Sequence, residues 1–251
     1  MKDYSASILS NEKIAEGVFA ITFDLGEACN VRCGQFGALS VGETHLLRRP
    51  IAVCKTDGNT VTFCYQVRGE GTKKLSKMGA GMRINVLMPL GNGFFVEETE
   101  KKVALVGGGV GVFPLISVLR QYGKEKEISA YIGYRNCGAV CGVDEFAKAA
   151  SFTAVTDDGS YGEKMNAVQA FERALQQGYR PDVVLACGPT PMLRALKSVT
   201  NREGLTTFVS LEERMGCGVG ACVVCVCDRT NGQRARVCKD GPVFNANDVT
   251  L

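Results

Sequence analysis

Four cysteines in the last seventh of the chain stand at spacings with a well-defined chemical use. Cys217, Cys222 and Cys225 form C-x4-C-x2-C, and Cys238 follows after twelve intervening residues. Thiolates are soft ligands suited to iron, and this is the spacing of plant-type [2Fe-2S] centres. Gly216, Gly218 and Gly220 let the backbone wrap closely round an inorganic core and aim N–H groups at its sulfurs, and the distant fourth thiolate closes the cage. Zinc is the competing reading. Zinc knuckles favour paired C-x2-C units, whereas here only Cys222 and Cys225 make one, and Cys227 follows Cys225 too closely to start a second. In an extended segment Cys227 shares the face of Cys225. It is left out of the metal-ligand set, which is Cys217, Cys222, Cys225 and Cys238.

The rest of the chain has to position such a centre. Its 251 residues, 45% hydrophobic with thirty glycines, suffice for two domains with buried cores and many tight turns. The net charge is +3, and no Lys/Arg run exceeds pairs such as Lys73-Lys74 and Lys101-Lys102, which argues against a nucleic-acid partner. The N-terminus lacks the apolar core of an export signal. The longest uncharged stretch, Val103 to Leu119, falls short of the ~20 residues of a membrane span and carries a glycine run and Pro114. It reads as a buried strand, turn and helix, so no membrane association is expected. Twelve cysteines without an export signal fit a reducing cytoplasm, where thiols serve metals rather than disulfides. Cysteines 29, 33, 54, 64, 137, 141 and 187 show no ligand spacing and read mostly as small core hydrophobes.

Residues 1–98 show short β runs at Tyr4 to Ser10, Val18 to Leu25, Ile51 to Lys55, Thr60 to Val67 and Arg83 to Met88, parted by turns such as Asp57-Gly58-Asn59. An antiparallel barrel is expected. Within it, Arg48 and Arg49 precede Pro50, which cannot join a central ladder, so fixed arginines stand at a strand edge, where they suit a pyrophosphate. Further on, V-R-G-E-G-T-K-K-L from Val67 gives a glycine-rich turn that opens a short helix, with Thr72 placed to cap it and N–H groups free for phosphate. Together the two stretches describe a flavin nucleotide site. His45, the single histidine, has no visible catalytic partner and is assigned to the surface or to a supporting role.

After a charged connector, Val96 to Lys102, the pattern changes. Val103 to Val106 is a fully apolar strand running into G-G-G-V-G-V-F-P-L, with Pro114 in the first turn of a helix. Further strands read at Ile128 to Tyr134, Ser151 to Thr156 and Val183 to Cys187, and helices at Val143 to Ala150, Lys164 to Gln177 and Pro191 to Asn201. The alternation predicts a parallel α/β sheet over 101–207, whose ligands bind beyond the carboxyl ends of the strands. The loops there are Asp157 to Gly162 and Cys187 to Met192. The acidic pair Asp157-Asp158 disfavours a 2′-phosphate, which tilts the choice to NAD over NADP, with Arg135 on a neighbouring loop as the opposing feature.

The order R-P-I-A-V, G-G-G-V-G-V-F-P, C-G-P-T-P-M resembles the ferredoxin–NADP reductase superfamily. End to end, with E-E-R-M-G-C-G-V-G-A-C and C-K-D-G-P-V-F at 212–222 and 238–244, the chain is similar to the electron-transfer subunits of dihydroorotate dehydrogenase B. The resemblance implies an FAD-binding barrel (1–98), an NAD-binding parallel-sheet domain (101–207) and a C-terminal [2Fe-2S] segment (208–251). It places FAD along Arg49, Pro50, Ile51, Ala52, Val53 and Val67, with Gly71 and Thr72 on its pyrophosphate, and NAD at Gly108, Gly109 and Gly111 and at Cys187, Gly188 and Pro189. The family often has serine where Ala52 stands. The activity implied is NAD-linked electron transfer, with no catalytic residue for a carbon substrate in this chain. Electrons would pass between NAD and a partner's FMN through FAD and the cluster, in a cytoplasmic heterotetramer of two plus two with the catalytic subunit, serving pyrimidine biosynthesis. Competing readings are a like-equipped reductase subunit of a sulfide dehydrogenase, ferredoxin:NADP reductase or hydrogenase complex, and a redox-sensing module without turnover.

Overall fold

The computed structural model describes residues 1–42 and 46–251; the assignment made for His45 lies outside the described residues. Six antiparallel strands close into a barrel in the order β1-β2-β5-β4-β3-β6. They are β1 (Lys2–Ala15), β2 (Val18–Asp24), β3 (Phe36–Leu39), β4 (Arg49–Asp57), β5 (Thr60–Gln66) and β6 (Arg83–Leu90), with α1 (Glu70–Leu75) after β5. Alternation sends Ile8, Ile21, Phe23, Leu39, Phe63 and Met88 inward, where they are fully buried, and the Phe23 and Phe63 rings meet edge to face at 6.0 Å. Closure pairs both sides of every strand and leaves no aggregation-prone edge. β1 outruns its expected end because irregularities in its pairing with β2, between Ile8 and Ser10 and between Lys13 and Ala15, let it keep pairing round the curve.

The second half is a seven-stranded sheet in the order β10-β9-β8-β7-β11-β12-β15, its last strand, β15 (Val243–Asn245), coming from the terminal segment. Its elements are β7 (Lys102–Gly108), α2 (Val112–Tyr122), β8 (Glu127–Tyr134), α3 (Val143–Phe146), β9 (Ser151–Thr156), β10 (Glu163–Lys164), α4 (Ala167–Gln176), β11 (Val183–Cys187), α5 (Thr190–Arg202) and β12 (Thr207–Ser210). All of β11 and all but the first residue of β7 are buried, as befits central parallel strands covered by helices on both faces. Helix α3 is half the expected length. The Ala150 N–H already donates to the Ile128 carbonyl at 2.9 Å, and that sheet bond draws the chain out of the helix.

The terminal segment forms a small hairpin, β13 (Val226–Asp228) with β14 (Arg234–Arg236), and then returns as β15 (Val243–Asn245) to lie antiparallel on β12. One continuous apolar core joins all three parts: Phe36, Ala38 and Leu90 of the barrel, Val106 and Val209 of the sheet, and Cys225, Val237, Cys238 and Phe244 of the terminal segment. Across the barrel–sheet seam, the Cys33 N–H donates to Gln121 Oε1 at 2.9 Å and the Gly34 N–H to Ser117 Oγ at 3.0 Å, both acceptors on α2 or at its end. The Glu16 N–H donates to the Gly138 carbonyl at 2.9 Å.

The terminal segment meets the barrel at Gly91 and Asn92, where the Asn92 N–H donates to the Gly241 carbonyl at 2.6 Å. Gly91 has φ +71°, and a Cβ there would lie 2.6 Å from Pro242 Cδ and 2.8 Å from the Gly241 oxygen. Gly91→Ala is therefore expected to destabilise the protein by roughly 2–4 kcal/mol, from left-handed backbone strain plus overpacking. Thermal unfolding followed by circular dichroism should show a melting midpoint several degrees lower.

Candidate cofactor-binding sites

The four candidate cluster cysteines come together as two sulfur pairs. Cys217 and Cys222 share one loop, where the Cys217 N–H donates to Cys222 Sγ at 3.3 Å; Cys217 Sγ accepts N–H groups from Val219 at 3.4 Å, Ala221 at 3.2 Å and Cys222 at 3.4 Å. Cys225 and Cys238 are the buried pair, with the Cys238 N–H on Cys225 Sγ at 3.4 Å and the Val237 N–H on the Cys225 carbonyl at 2.7 Å. Burial pushes the Cys217 thiol up, but the N–H groups of Val219, Cys222 and Ala221 and the Cys222 thiol outweigh it and bring the group down to about 6. Burial and the adjoining Cys225 thiol push Cys238 up to about 12. Among the described residues no three His, Cys, Asp or Glu side chains gather as for a single metal ion. Two thiol pairs are a donor set for a centre of two irons with two thiolates each, so the residues fit a [2Fe-2S] group. Cys227 sits apart, half-buried on β13 and lining the cleft described below.

The two stretches read as flavin-binding meet in space. Arg49, at the start of β4, folds its guanidinium over the backbone of Gly71 in α1, so closely that a Cβ on Gly71 would fall 2.0 Å from Arg49 Nε. Arg49 Nη1 also donates to the Leu47 carbonyl. The Thr72 hydroxyl accepts the N–H groups of Arg68 at 2.9 Å and Gly69 at 3.1 Å, so it closes the turn that opens α1. Pro50 is exposed and Arg49, Ile51, Ala52 and Val67 are half-buried; Pro50 and Ala52 share the face of β4 turned away from the barrel core, while Ile51 and Val67 pack partly against that core. Val53 is buried in that core, and only its backbone is available to a ligand. A cation over a turn whose glycine allows no side chain is a cradle that fits a flavin pyrophosphate.

The two nicotinamide-nucleotide loops also meet. A Cβ on Gly111 would lie 2.7 Å from the Cys187 carbonyl and from Gly188 Cα, and one on Gly108 would lie 2.8 Å from Met192 Sδ. The starts of α2 and α5 thus stand side by side on a cleft of about 830 Å³. It is walled by Gly108, Gly109, Gly111, Gly188, Pro189 and Thr190 on one side and by Glu16, Val18, Gln66 and Arg68 of the barrel on the other. The positive ends of two helix dipoles beside glycine backbone fit a dinucleotide pyrophosphate. The Cys187 thiol does not line the cleft. It is 2% exposed and pushed up to about 12 by burial and by Glu212, against a Ser210 hydrogen bond that lowers it.

The acidic pair divides its tasks. Asp157 lines the cleft together with Arg135. Asp158 is turned into its own loop, where Oδ1 accepts the Ser160 N–H at 2.9 Å and hydroxyl at 2.6 Å, which holds its carboxyl below the usual range. Ser160 Oγ in turn accepts the Cys137 N–H at 2.7 Å. Sequence reasoning did not single out Glu212 and Glu213. They line the same cleft, and their place just after a β-run, T-T-F-V-S, was the available signal.

A closed antiparallel barrel, a parallel sheet with a dinucleotide cleft at its strand ends and a two-pair thiolate loop define a flavin- and nicotinamide-linked reductase that carries an iron–sulfur centre. Residues 212–250 match the iron–sulfur cluster binding domain of dihydroorotate dehydrogenase B. The chain is 38% identical, over 100% of its length and 99% of the relative's, to the dihydroorotate dehydrogenase B (NAD(+)) electron transfer subunit of Bacillus pumilus (strain SAFR-032). Identity to the protein of the same description from Clostridium perfringens (strain 13 / Type A) is 34% over 99% and 98%. Among solved structures, a chain of an NADH-dependent reduced ferredoxin-NADP oxidoreductase studied for flavin-based electron bifurcation superposes with a TM-score of 0.87 at 28% identity, covering 98% of this chain and 90% of that one. The chain belongs to the family of dihydroorotate dehydrogenase B electron transfer subunits.

In the cluster-free protein Cys217 is a thiolate above pH about 6. It should be the first cysteine alkylated by iodoacetamide at pH 7, with a rate that is half-maximal near pH 6. Peptide mass mapping of the modified chain across pH checks this, and the cluster-loaded protein should be protected.

Proposed function

We propose that this chain is the electron-transfer subunit of an NAD-linked dihydroorotate dehydrogenase, an oxidoreductase subunit that binds FAD, NAD and a [2Fe-2S] cluster and works with a catalytic partner. When bound, NAD and FAD exchange a hydride, two electrons at once, while the cluster takes or gives one electron at a time, so the set converts paired electrons into single ones. The observation that carries this reading is the placement of the thiolate loop. A Cβ on Gly218 would lie 3.5 Å from Leu90 Cδ1 and 3.9 Å from Ala38 Cβ. Ala38 pairs with Pro50 on β4, so the loop lies one strand, about 5 Å, from the strand assigned to the flavin.

The residues divide the work accordingly. Cys217, Cys222, Cys225 and Cys238 hold the cluster. Arg49, Gly71 and Thr72 take the flavin pyrophosphate, and Arg49 to Val53 with Val67 take the rest of the flavin. Gly108, Gly109 and Gly111, with Gly188, Pro189 and the backbone of Cys187, hold NAD so that its ring enters between sheet and barrel. Asp157 at the cleft disfavours a 2′-phosphate through like charge, which accords with NAD. The units are 1–98 for FAD, 101–207 for NAD and 208–251 for the cluster, the last anchored through β15 on the sheet. Val219, Val223 and Val224 are exposed beside the cluster ligands, a patch suited to an FMN-bearing catalytic subunit in a two-plus-two assembly. Among the described residues no helix is long and apolar enough to cross a membrane. The cytoplasmic location in this reading rests instead on the many free thiols, which fit a reducing compartment.

Two measurements test this. Cys222→Ser replaces a soft thiolate by a poor iron ligand, so the reduced variant should lack or largely lose the [2Fe-2S] EPR signal; a wild-type signal excludes the cluster assignment. The isolated chain should reduce ferricyanide with NADH yet form no orotate from dihydroorotate and NAD, because the positioned base that such a substrate needs is assigned to the catalytic partner. Orotate formation should appear on mixing with an FMN-bearing catalytic subunit, and its appearance without that subunit would contradict the proposal.

A further inference from the structure

Arg236 joins the two segments that carry the cluster cysteines. Its Nη1 donates to the Gly220 carbonyl at 3.0 Å, and its Nε to Asp240 Oδ2 at 3.3 Å; the same carboxylate oxygen accepts the Arg236 backbone N–H at 2.8 Å. The guanidinium therefore ties the loop of Cys217 and Cys222 to the turn of Cys238. The Gly220 carbonyl belongs to the peptide plane whose other end is the Ala221 N–H, and that N–H donates to Cys217 Sγ at 3.2 Å. In a planar trans peptide the C=O and N–H point in opposite directions. A cation fixed on the oxygen aims the N–H at the sulfur and, by polarising the plane, makes it a stronger donor.

We propose that Arg236 is a positioning residue for the [2Fe-2S] centre: by clamping the Gly220–Ala221 peptide it strengthens the N–H···S bond at Cys217 and raises the reduction potential of the cluster. Hydrogen bonds to ligand sulfur stabilise the more negative, reduced state and so shift the potential upward. Two residues earlier, Arg234 carries the same charge but pairs with Asp228 at 3.2 Å, and both side chains are well exposed. The tie also needs the arginine fork, since one guanidinium serves two acceptors through different nitrogens, which a single ammonium on a flexible stem does less rigidly. The inference rests on the four-cysteine cluster reading.

The test is a potentiometric titration, read by the EPR signal of the cluster, on the FAD-loaded complex with the catalytic subunit. Wild type, Arg236→Gln, Arg236→Lys and Arg234→Gln are compared, together with the rate at which a chelator bleaches each centre. Arg236→Gln should lower the reduction equilibrium constant about tenfold, close to 60 mV for one electron, and lose iron several-fold faster. Arg236→Lys should fall between it and wild type, and Arg234→Gln should match wild type. A wild-type potential in Arg236→Gln, or an equal shift in Arg234→Gln, overturns the proposal. If Arg236→Gln holds no cluster, Arg236→Lys carries the test, and an unshifted potential there overturns it. Loss from both, with Arg234→Gln intact, makes Arg236 a fold determinant and likewise overturns tuning. A wild-type protein without a [2Fe-2S] signal refutes the cluster reading itself, which is a separate failure.

Discussion

Three backbone N–H groups, from Val219, Ala221 and Cys222, point at the sulfur of Cys217, and the local structure follows from what that convergence demands. A chain can aim so many near-consecutive amides inward only by coiling through the left-handed region, and Gly218 and Gly220 take φ of +73° and +85°. The same handedness recurs at Val223, whose φ is +55°. For a β-branched residue this costs on the order of 1–3 kcal/mol and persists only where the surroundings over-determine it. A loop that spends its amides on sulfur has few left for a helix or a sheet. It is held instead from outside, by the barrel under Gly218, by the Lys239 side chain against Gly220 and by the Cys225 carbonyl on Val237.

That dependence explains why the terminal segment is not a free-standing module. Some forty residues cannot bury enough apolar surface to fold round a strained loop by themselves. The segment borrows the barrel's Phe36 and Leu90 and the sheet's Val209 for its core and adds β15 to the sheet edge. A second core closes the seam between barrel and sheet, where α2 lies over β4 and Cys54 and Cys64 pack with Val112 and Ile116. A relay gains from such rigidity, because distances between carriers are then fixed by packing rather than by fluctuation.

Much of this was legible in the residues, and the rest failed for identifiable reasons. The barrel, the parallel sheet and the order of the motifs follow from apolar periodicity and turn chemistry. The short β3, F-G-A-L, was missed because two of its four residues are small and it is a strand by virtue of its neighbours β4 and β6. β12 and β15 are likewise strands made by partners. Within the sites, spacing located the cysteines but could not pair them, since pairing depends on how the loop folds back. Val53 is placed along the flavin by the resemblance, and the spacing alone does not say that its side chain packs in the barrel core. Asp157 and Asp158 read as one acidic pair, yet the turn closed by Ser160 points them differently. No rule of propensity places a valine in the left-handed region, so Val223 could not have been foreseen.

The arrangement also accounts for why a small barrel stands between two larger demands. A hydride donor must stack on a flat ring from an open cleft, whereas a metal centre trading single electrons must sit near the surface that meets its partner. Placing both on one face would make them compete for the same space. Here the cleft opens between Gly108–Gly111 and the barrel residues Glu16 to Val18 and Gln66 to Arg68, while the thiolate loop lies against Ala38 and Leu90, across β3 from the residues at the start of β4. The cleft thus meets the barrel through β2, β5 and the turns beside them, whereas the thiolate loop meets it through β3 and β6. Closure of the barrel through the β3–β4 and β3–β6 pairings keeps these two faces at a fixed separation.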